Sequence, residues 1–217
     1  MNKYSLIYCD PPWQYSNQAT RAATNNHYPT MSLQEIKQLP ISEISDKNSI
    51  LAMWYTAAFS DEAKAVAEAW GYKVKTMKLF TWVKMNKCYK DNIDKQLNKN
   101  HVTCADDVLS LVFGQTKFGL GNYTRANSED CLIAVKGKGL ERLDKSISQV
   151  IYAPISKHSE KPQEARIRLE RLYGNVPRIE LFARGNIDNW DAWGNECRNS
   201  VELERGKNED TEKCDGK

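Results

Sequence analysis

Asp10, Pro11, Pro12 and Trp13 directly follow the short apolar run Ser5-Leu6-Ile7-Tyr8-Cys9, and their types suit chemistry on a planar base. Two consecutive prolines cannot continue a central strand, so a strand must end there. In an open α/β sheet, ligands bind beyond the carboxyl ends of strands. The group combines a carboxylate, a backbone carbonyl fixed by proline rings and a flat aromatic. The Asp10 carboxylate and the Pro11 carbonyl can each accept one hydrogen of an exocyclic amine, while Trp13 stacks on the base that carries it. An ordinary turn explains an Asp and one Pro at a strand end. It does not explain a Pro-Pro pair with a large aromatic immediately behind.

Charge forms the second concentration. Between Lys73 and His101 stand eight lysines against Asp91 and Asp94, a local balance of +6, whereas the whole chain carries only +3. A solvated loop would accept this composition, and so would a phosphate-facing surface. On the second reading Lys84, Lys87 and Lys90 contact nucleic acid, together with Tyr15 and Arg125. Six Trp and ten Tyr serve a core first and base stacking second.

The surrounding pattern supplies the elements that must position these groups. Extended segments are expected at 5–9, 49–55, 72–84, 131–136, 149–152 and 178–183. Helices are expected over 33–39, behind the capping-box spacing of Ser32 and Glu35, and over 61–70, capped by Ser60. A third runs from Gln163 to Tyr173 between Pro162 and Gly174. Strands alternating with helices predict an α/β domain with a mostly parallel sheet flanked by helices. Residues 1–198 are expected to form one domain with a mobile lysine-rich loop near 85–107, and 199–217 a polar, disordered tail. No run of 18 apolar residues exists, so no membrane-spanning helix is expected. The first ten residues are too polar for a signal peptide, which points to the cytoplasm. Six cysteines without a Cys-x-x-Cys pair, and only three histidines, give no metal site.

The Asp10-Pro11-Pro12-Trp13 element resembles the catalytic motif of the MT-A70 family of N6-adenine methyltransferases. Further segments resemble that family in the same order. They are Gly121-Asn122-Tyr123-Thr124-Arg125 with Glu129 to Gly137, His158-Ser159-Glu160-Lys161-Pro162, Ile179-Glu180-Leu181-Phe182-Ala183-Arg184 and Trp193-Gly194-Asn195-Glu196. The resemblance implies a Rossmann-like methyltransferase fold with permuted motif order, catalytic motif first and cofactor motif last. It also implies S-adenosylmethionine as cofactor, held by Asp10, His158, Lys161, Phe182, Arg184, Asn195 and Glu196. In that scheme Lys161 meets the cofactor carboxylate, and Asn195 and Glu196 hold the ribose hydroxyls. The catalytic set is Asp10, Pro11, Pro12 and Trp13.

The implied reaction is methyl transfer to the N6 amine of adenine, with DNA favoured because small members of this kind resemble bacterial and phage proteins. RNA methylation is the alternative, and a non-catalytic nucleic-acid-binding partner of an active enzyme is another. Such partners tend to lose the acidic residue of the motif, which is intact here as Asp10. No metal is needed for this transfer. A homodimer or a partner subunit is compatible with the pattern. Only nine residues precede Asp10, fewer than the upstream cofactor-contacting segment of eukaryotic members needs, and their zinc-finger region has no counterpart.

Overall fold

The computed structural model describes residues 3–14, 30–99, 102–119, 123–156 and 160–203. Strand β1 (Tyr4–Cys9) is buried at all six positions. That is the mark of a strand covered on both faces. Its side chains alternate between two cores. Ile7 and Cys9 point into one, with Leu51 and Met53 of β2 (Ser45–Tyr55). Leu6 and Tyr8 point into the other, with Ile50, Ala52 and Trp54.

The first core is covered by α1 (Leu33–Lys37), α2 (Ile41–Ile44) and α3 (Ser60–Ala69), through Ile36, Ile41, Ile44, Val66 and Ala67. The second is covered by α6 (Gln163–Tyr173), through Ala165, Leu169 and Leu172. Two further strands, β3 (Lys73–Met85) and β4 (Ser128–Lys136), are joined by α4 (Tyr89–Leu97) and α5 (Ala105–Gly114). Strands β5 (Val150–Pro154), β6 (Arg178–Leu181) and β7 (Asp191–Trp193) complete a seven-stranded sheet of order β5-β3-β4-β2-β1-β6-β7. Only β4 runs against its neighbours, β2 and β3; the other four pairings are parallel. The expected α/β fold with a mostly parallel sheet is therefore the one observed.

Local expectations meet the structure in an informative way. The capping box at Ser32 and Glu35 is present, and α6 runs between Pro162 and Gly174, whose φ of +71° favours glycine. Ser60 is not a cap: it is the first residue of α3, and Phe59 stands before it without a side-chain bond. Strand β2 starts at Ser45 rather than 49, its polar first turn hiding it from an apolar search.

The lysine-rich stretch expected as a loop contains α4 and the start of α5. Neither helix buries a residue: α4 is mostly polar and shows no apolar face, while the apolar run Val108 to Phe113 of α5 lies beyond the expected loop. The first residues of the expected tail are instead part of the fold. Leu203 is buried in the first core, Val201 packs on it, and Ser200 bonds Ala192 in both directions at 2.7 and 3.1 Å. Residues 204–217 lie outside the described ones. Among the described residues, no helix is long and apolar enough to cross a membrane, and no group of three or more His, Cys, Asp or Glu is placed to hold a metal ion.

Candidate active site

Because six strands share one direction, their carboxyl ends lie along one edge of the sheet, and the reversed β4 brings its amino end to the same edge. Asp10 follows β1, Lys84 stands one residue before the end of β3, Glu129 is the second residue of β4, and Lys161 lies between β5 and α6. Phe182 to Arg184 follow β6, and Gly194 to Glu196 follow β7. Residues far apart in the chain thus meet where such folds bind ligands.

Four of these side chains form an alternating line of charge. The Lys161 ammonium lies 2.6 Å from Asp10 Oδ2 and 3.1 Å from Glu129 Oε2. The Lys84 ammonium takes the other Glu129 oxygen at 2.5 Å. The Lys161 side chain is 6% exposed and Glu129 13%, against 22% for Asp10 and 26% for Lys84, so the line is closed in the middle and opens to solvent at its two ends. Burial pushes the Asp10 carboxyl above its ordinary range, and Glu129 adds to this while Lys161 opposes it. Burial works against ionisation of Glu129 as well, yet the Lys161 and Lys84 ammonium groups hold it below its ordinary range. Burial alone would neutralise Lys161, but its two carboxylates keep it protonated far above the usual lysine range. Lys161 also stands 6.0 Å over the Trp54 ring, whose N–H donates to the Tyr8 hydroxyl at 2.6 Å. One layer further in, Arg166 Nη1 donates to both oxygens of Glu180 at 3.2 Å.

The ends of β6 and β7 are locked together. A Cβ on Gly194 would come within 2.3 Å of the Ala183 carbonyl oxygen, so only glycine permits this approach. Phe182 takes a φ of +59° and sets its ring edge-on against Trp193, with centroids 5.5 Å apart. The turn after Trp193 is fixed by Asn199, whose side chain accepts from the Gly194 N–H at 2.9 Å. Arg184, Asn195 and Glu196 are exposed at this paired end.

The family model of MT-A70 matches residues 4–109 and 111–196 of the chain. The chain belongs to the MT-A70 family. Among its relatives is the type II methyltransferase M.MunI of Mycoplasma, 28% identical over 221 residues, covering 93% of this chain and 81% of that protein. A probable N(6)-adenosine-methyltransferase MT-A70-like protein of rice is 27% identical over 206 residues, covering 94% of this chain but 24% of its own length. The human N(6)-adenosine-methyltransferase catalytic subunit METTL3 is 27% identical over 198 residues, covering 90% of this chain and 28% of its own length. The chain thus spans about a quarter of the adenosine methyltransferases it matches.

The described MT-A70 motif residues fall around the edge, and Trp13 is placed differently from expectation. Trp13 is only 8% exposed. Its ring lies parallel to Phe59 at 5.5 Å and its N–H donates to the Trp54 carbonyl at 3.3 Å, so it is a core residue bracing the site rather than an open stacking platform. The Lys161 ammonium is bonded by Asp10 and Glu129, which fixes its place at the edge. The Pro11 carbonyl accepts the Trp13 N–H at 2.9 Å across Pro12, a γ-turn that leaves its second lone pair for another donor.

Lys84 turns inward to Glu129, whereas Lys87, Lys90 and Arg125 are exposed. Tyr15 and His158 lie outside the described residues. Sequence reasoning gave no role to Glu129, Trp54 or the Arg166–Glu180 pair. For Glu129 a signal existed: an acidic side chain heads the apolar run Cys131 to Val135. Charge at the mouth of a buried strand calls for a partner.

Proposed function

We propose that this protein transfers the methyl group of S-adenosylmethionine to the N6 amine of adenine in DNA. The observation that carries the reading is the Asp10 carboxylate, presented after β1 by the rigid Pro11-Pro12 pair and bonded by the Lys161 ammonium at 2.6 Å. DNA is favoured over RNA on the similarity to a type II methyltransferase, 28% identical over 221 residues.

The residues present fit the cofactor. The Gly194–Ala183 approach sets two strand ends side by side, and Arg184, Asn195 and Glu196 give them exposed cationic, amide and carboxylate groups. Arg184 suits the carboxylate of the cofactor's amino-acid part, Glu196 and Asn195 its ribose diol, and Phe182 an apolar contact. When bound, S-adenosylmethionine supplies an electrophilic methyl group.

The chain's own residues prepare the acceptor. An aromatic amine is a poor nucleophile because its lone pair is delocalised into the ring. Asp10 and the Pro11 carbonyl accept its two hydrogens, favour a pyramidal nitrogen and fix the direction of its lone pair. Asp10 stabilises positive charge as it develops on that nitrogen. Burial has raised the proton affinity of Asp10, which suits it to take the proton the nitrogen must shed. Lys161, shared with Glu129, holds Oδ2 in place and opposes the rise that burial imposes on the carboxyl. On a duplex, the adenine must first leave the stack, at a cost of a few kcal/mol.

The test is transfer of a labelled methyl group to duplex DNA, single-stranded DNA and RNA, side by side. DNA should be labelled at adenine N6. Asp10→Asn should abolish labelling while calorimetry with S-adenosylhomocysteine shows cofactor affinity largely retained. Labelling of RNA alone, or full turnover by Asp10→Asn, would overturn the reading.

A further inference from the structure

Strand β5 ends the sheet, and one of its faces is bare. Ile151 and Ala153 turn into the second core, so Val150, Tyr152 and Pro154 share the opposite face. Tyr152 is 57% exposed and Val150 37%, and Pro154 is exposed as well. Thr81, Val83 and Met85 of β3 stand beside them in register. Helices α1 to α3 cover this side of the sheet further along, but no β5 side chain takes part in the core they form. At the carboxyl end of the two strands lies a cavity of about 260 Å³, lined by Lys87, Cys88, Tyr89, Lys90, Asp91 and Pro154. That is below the roughly 300–1,000 Å³ of sites that enclose a whole small molecule, and leaves room for one base.

Charge and the free edge of β5 choose the occupant. From Gly71 to Lys90 the chain holds six lysines and no acid, and from Lys145 to Ser159 two lysines and no acid. Both strands of the face thus lie in acid-free, lysine-bearing stretches, which suit a polyanion. Asp130, on the neighbouring β4, is taken up by Lys78 at 3.4 Å and by Thr81 Oγ1 at 2.6 Å. A protein strand added to the sheet is disfavoured, because Arg168 Nη1 already donates to the Ser148 and Val150 carbonyls on the free edge, at 2.6 and 2.8 Å. In the cavity, two ammonium groups, one carboxylate and an aromatic ring suit a whole nucleotide better than a bare phosphate. Exposed rings on a sheet face stack on bases that have left a duplex. The face also leads to the site: Lys84 of β3 belongs to the charged line, and Lys161 lies seven residues beyond Pro154.

We propose that this face and its cavity bind a single-stranded stretch of the nucleic acid that carries the target adenine, with Tyr152 and Tyr89 stacked on its bases and Lys87 and Lys90 on its phosphates. This strand path rests on the methyl-transfer reading and adds where the substrate runs and in what state. Strand β5 is four places from β1 in the sheet, about 19 Å at the usual spacing. At about 3.4 Å per stacked nucleotide, the contact falls about six nucleotides from an adenine at Asp10, and fewer where the strand is drawn out.

Fluorescence anisotropy with labelled single-stranded DNA, read without turnover, tests it. A strand of about twenty nucleotides with a central adenine is long enough to reach β5. Tyr152→Ala should weaken its binding at least about fivefold, the loss of one stacked base. Tyr152→Phe should not, and calorimetry with S-adenosylhomocysteine should find cofactor affinity unchanged in both variants. A strand cut to about two nucleotides on each side of the adenine stops short of β5 and should bind wild type and Tyr152→Ala alike. Long-strand affinity that Tyr152→Ala leaves unchanged, equal losses on the long and short strands, or a wild type that does not bind the long strand overturns the face as the docking surface. Binding that behaves as expected without methyl transfer to any nucleic acid overturns the catalytic reading alone. Methyl transfer in a Tyr152→Ala variant of unchanged strand affinity overturns the face alone.

Discussion

Replacing Lys161 by Met separates the ion network from the rest of the fold, because the apolar stem is kept and the ammonium removed. Across 2.6 Å, at an effective dielectric of about 20, the attraction to Asp10 is about 6 kcal/mol, and across 3.1 Å that to Glu129 about 5 kcal/mol. Desolvation of all three groups offsets most of this. Deleting one partner of such a buried arrangement costs about 3–5 kcal/mol, since the others are left uncompensated. Lys84 still holds Glu129 and Asp10 reaches solvent, so the low end of that range, about 3 kcal/mol, is expected.

The pH dependence carries the sign. Without Lys161, the Asp10 carboxyl, already raised by burial, rises further, so the folded variant binds a proton more tightly than the unfolded chain does. Such a group is least harmful when protonated in both states and most harmful above its folded value. The stability gap between wild type and Lys161→Met should therefore narrow as pH falls toward the ordinary carboxylate range. Urea unfolding at several pH values measures this. A gap under about 1 kcal/mol at neutral pH, or one that does not change with pH, would refute the network as described.

Other consequences are open to direct measurement. Glu196→Ala should raise the cofactor KM at least tenfold, since a charge-assisted hydrogen bond contributes about 1.5–3 kcal/mol; unchanged affinity would place the ribose elsewhere. Gly194→Ala forces the Ala183 backbone away and should weaken cofactor binding and lower the melting temperature together, by about 2 kcal/mol in stability, readable by calorimetry. Changing Lys87, Lys90 and Lys95 to Gln should flatten the log–log salt dependence of DNA binding by up to about 3 units while sparing cofactor affinity. An unaltered slope would assign those lysines to solvent.

The sequence revealed the architecture wherever burial was continuous. The runs Leu6 to Cys9 and Ile50 to Tyr55 are apolar on both faces and could only be inner strands. It was silent where an element is held by one face or by none: α4 buries no residue fully, and Asp46 to Asn48 open β2 with polar groups. Asp10 was legible because rigidity and charge are local properties of its tetrapeptide. The role of Lys161 was not, because it depends on Glu129, and the two meet only through the reversed strand β4. Trp13 looked available because a sequence does not reveal that Phe59 and the Trp54 carbonyl already claim its ring.

The excursion between β3 and β4 is pinched shut at its base. The Lys84 N–H bonds Asn127, the Lys117 N–H bonds Lys84 and the Asn86 N–H bonds Gln115, at 2.8, 2.7 and 2.8 Å. Its two ends are thus held side by side by the sheet itself, whatever hangs between them. The entropy of bringing them together grows only slowly with length, about 0.6 kcal/mol per doubling. Residues 86–127 are therefore an interchangeable cassette on a fixed chassis. Segments of other lengths and compositions could be grafted there without disturbing Asp10, Glu129 or Lys161.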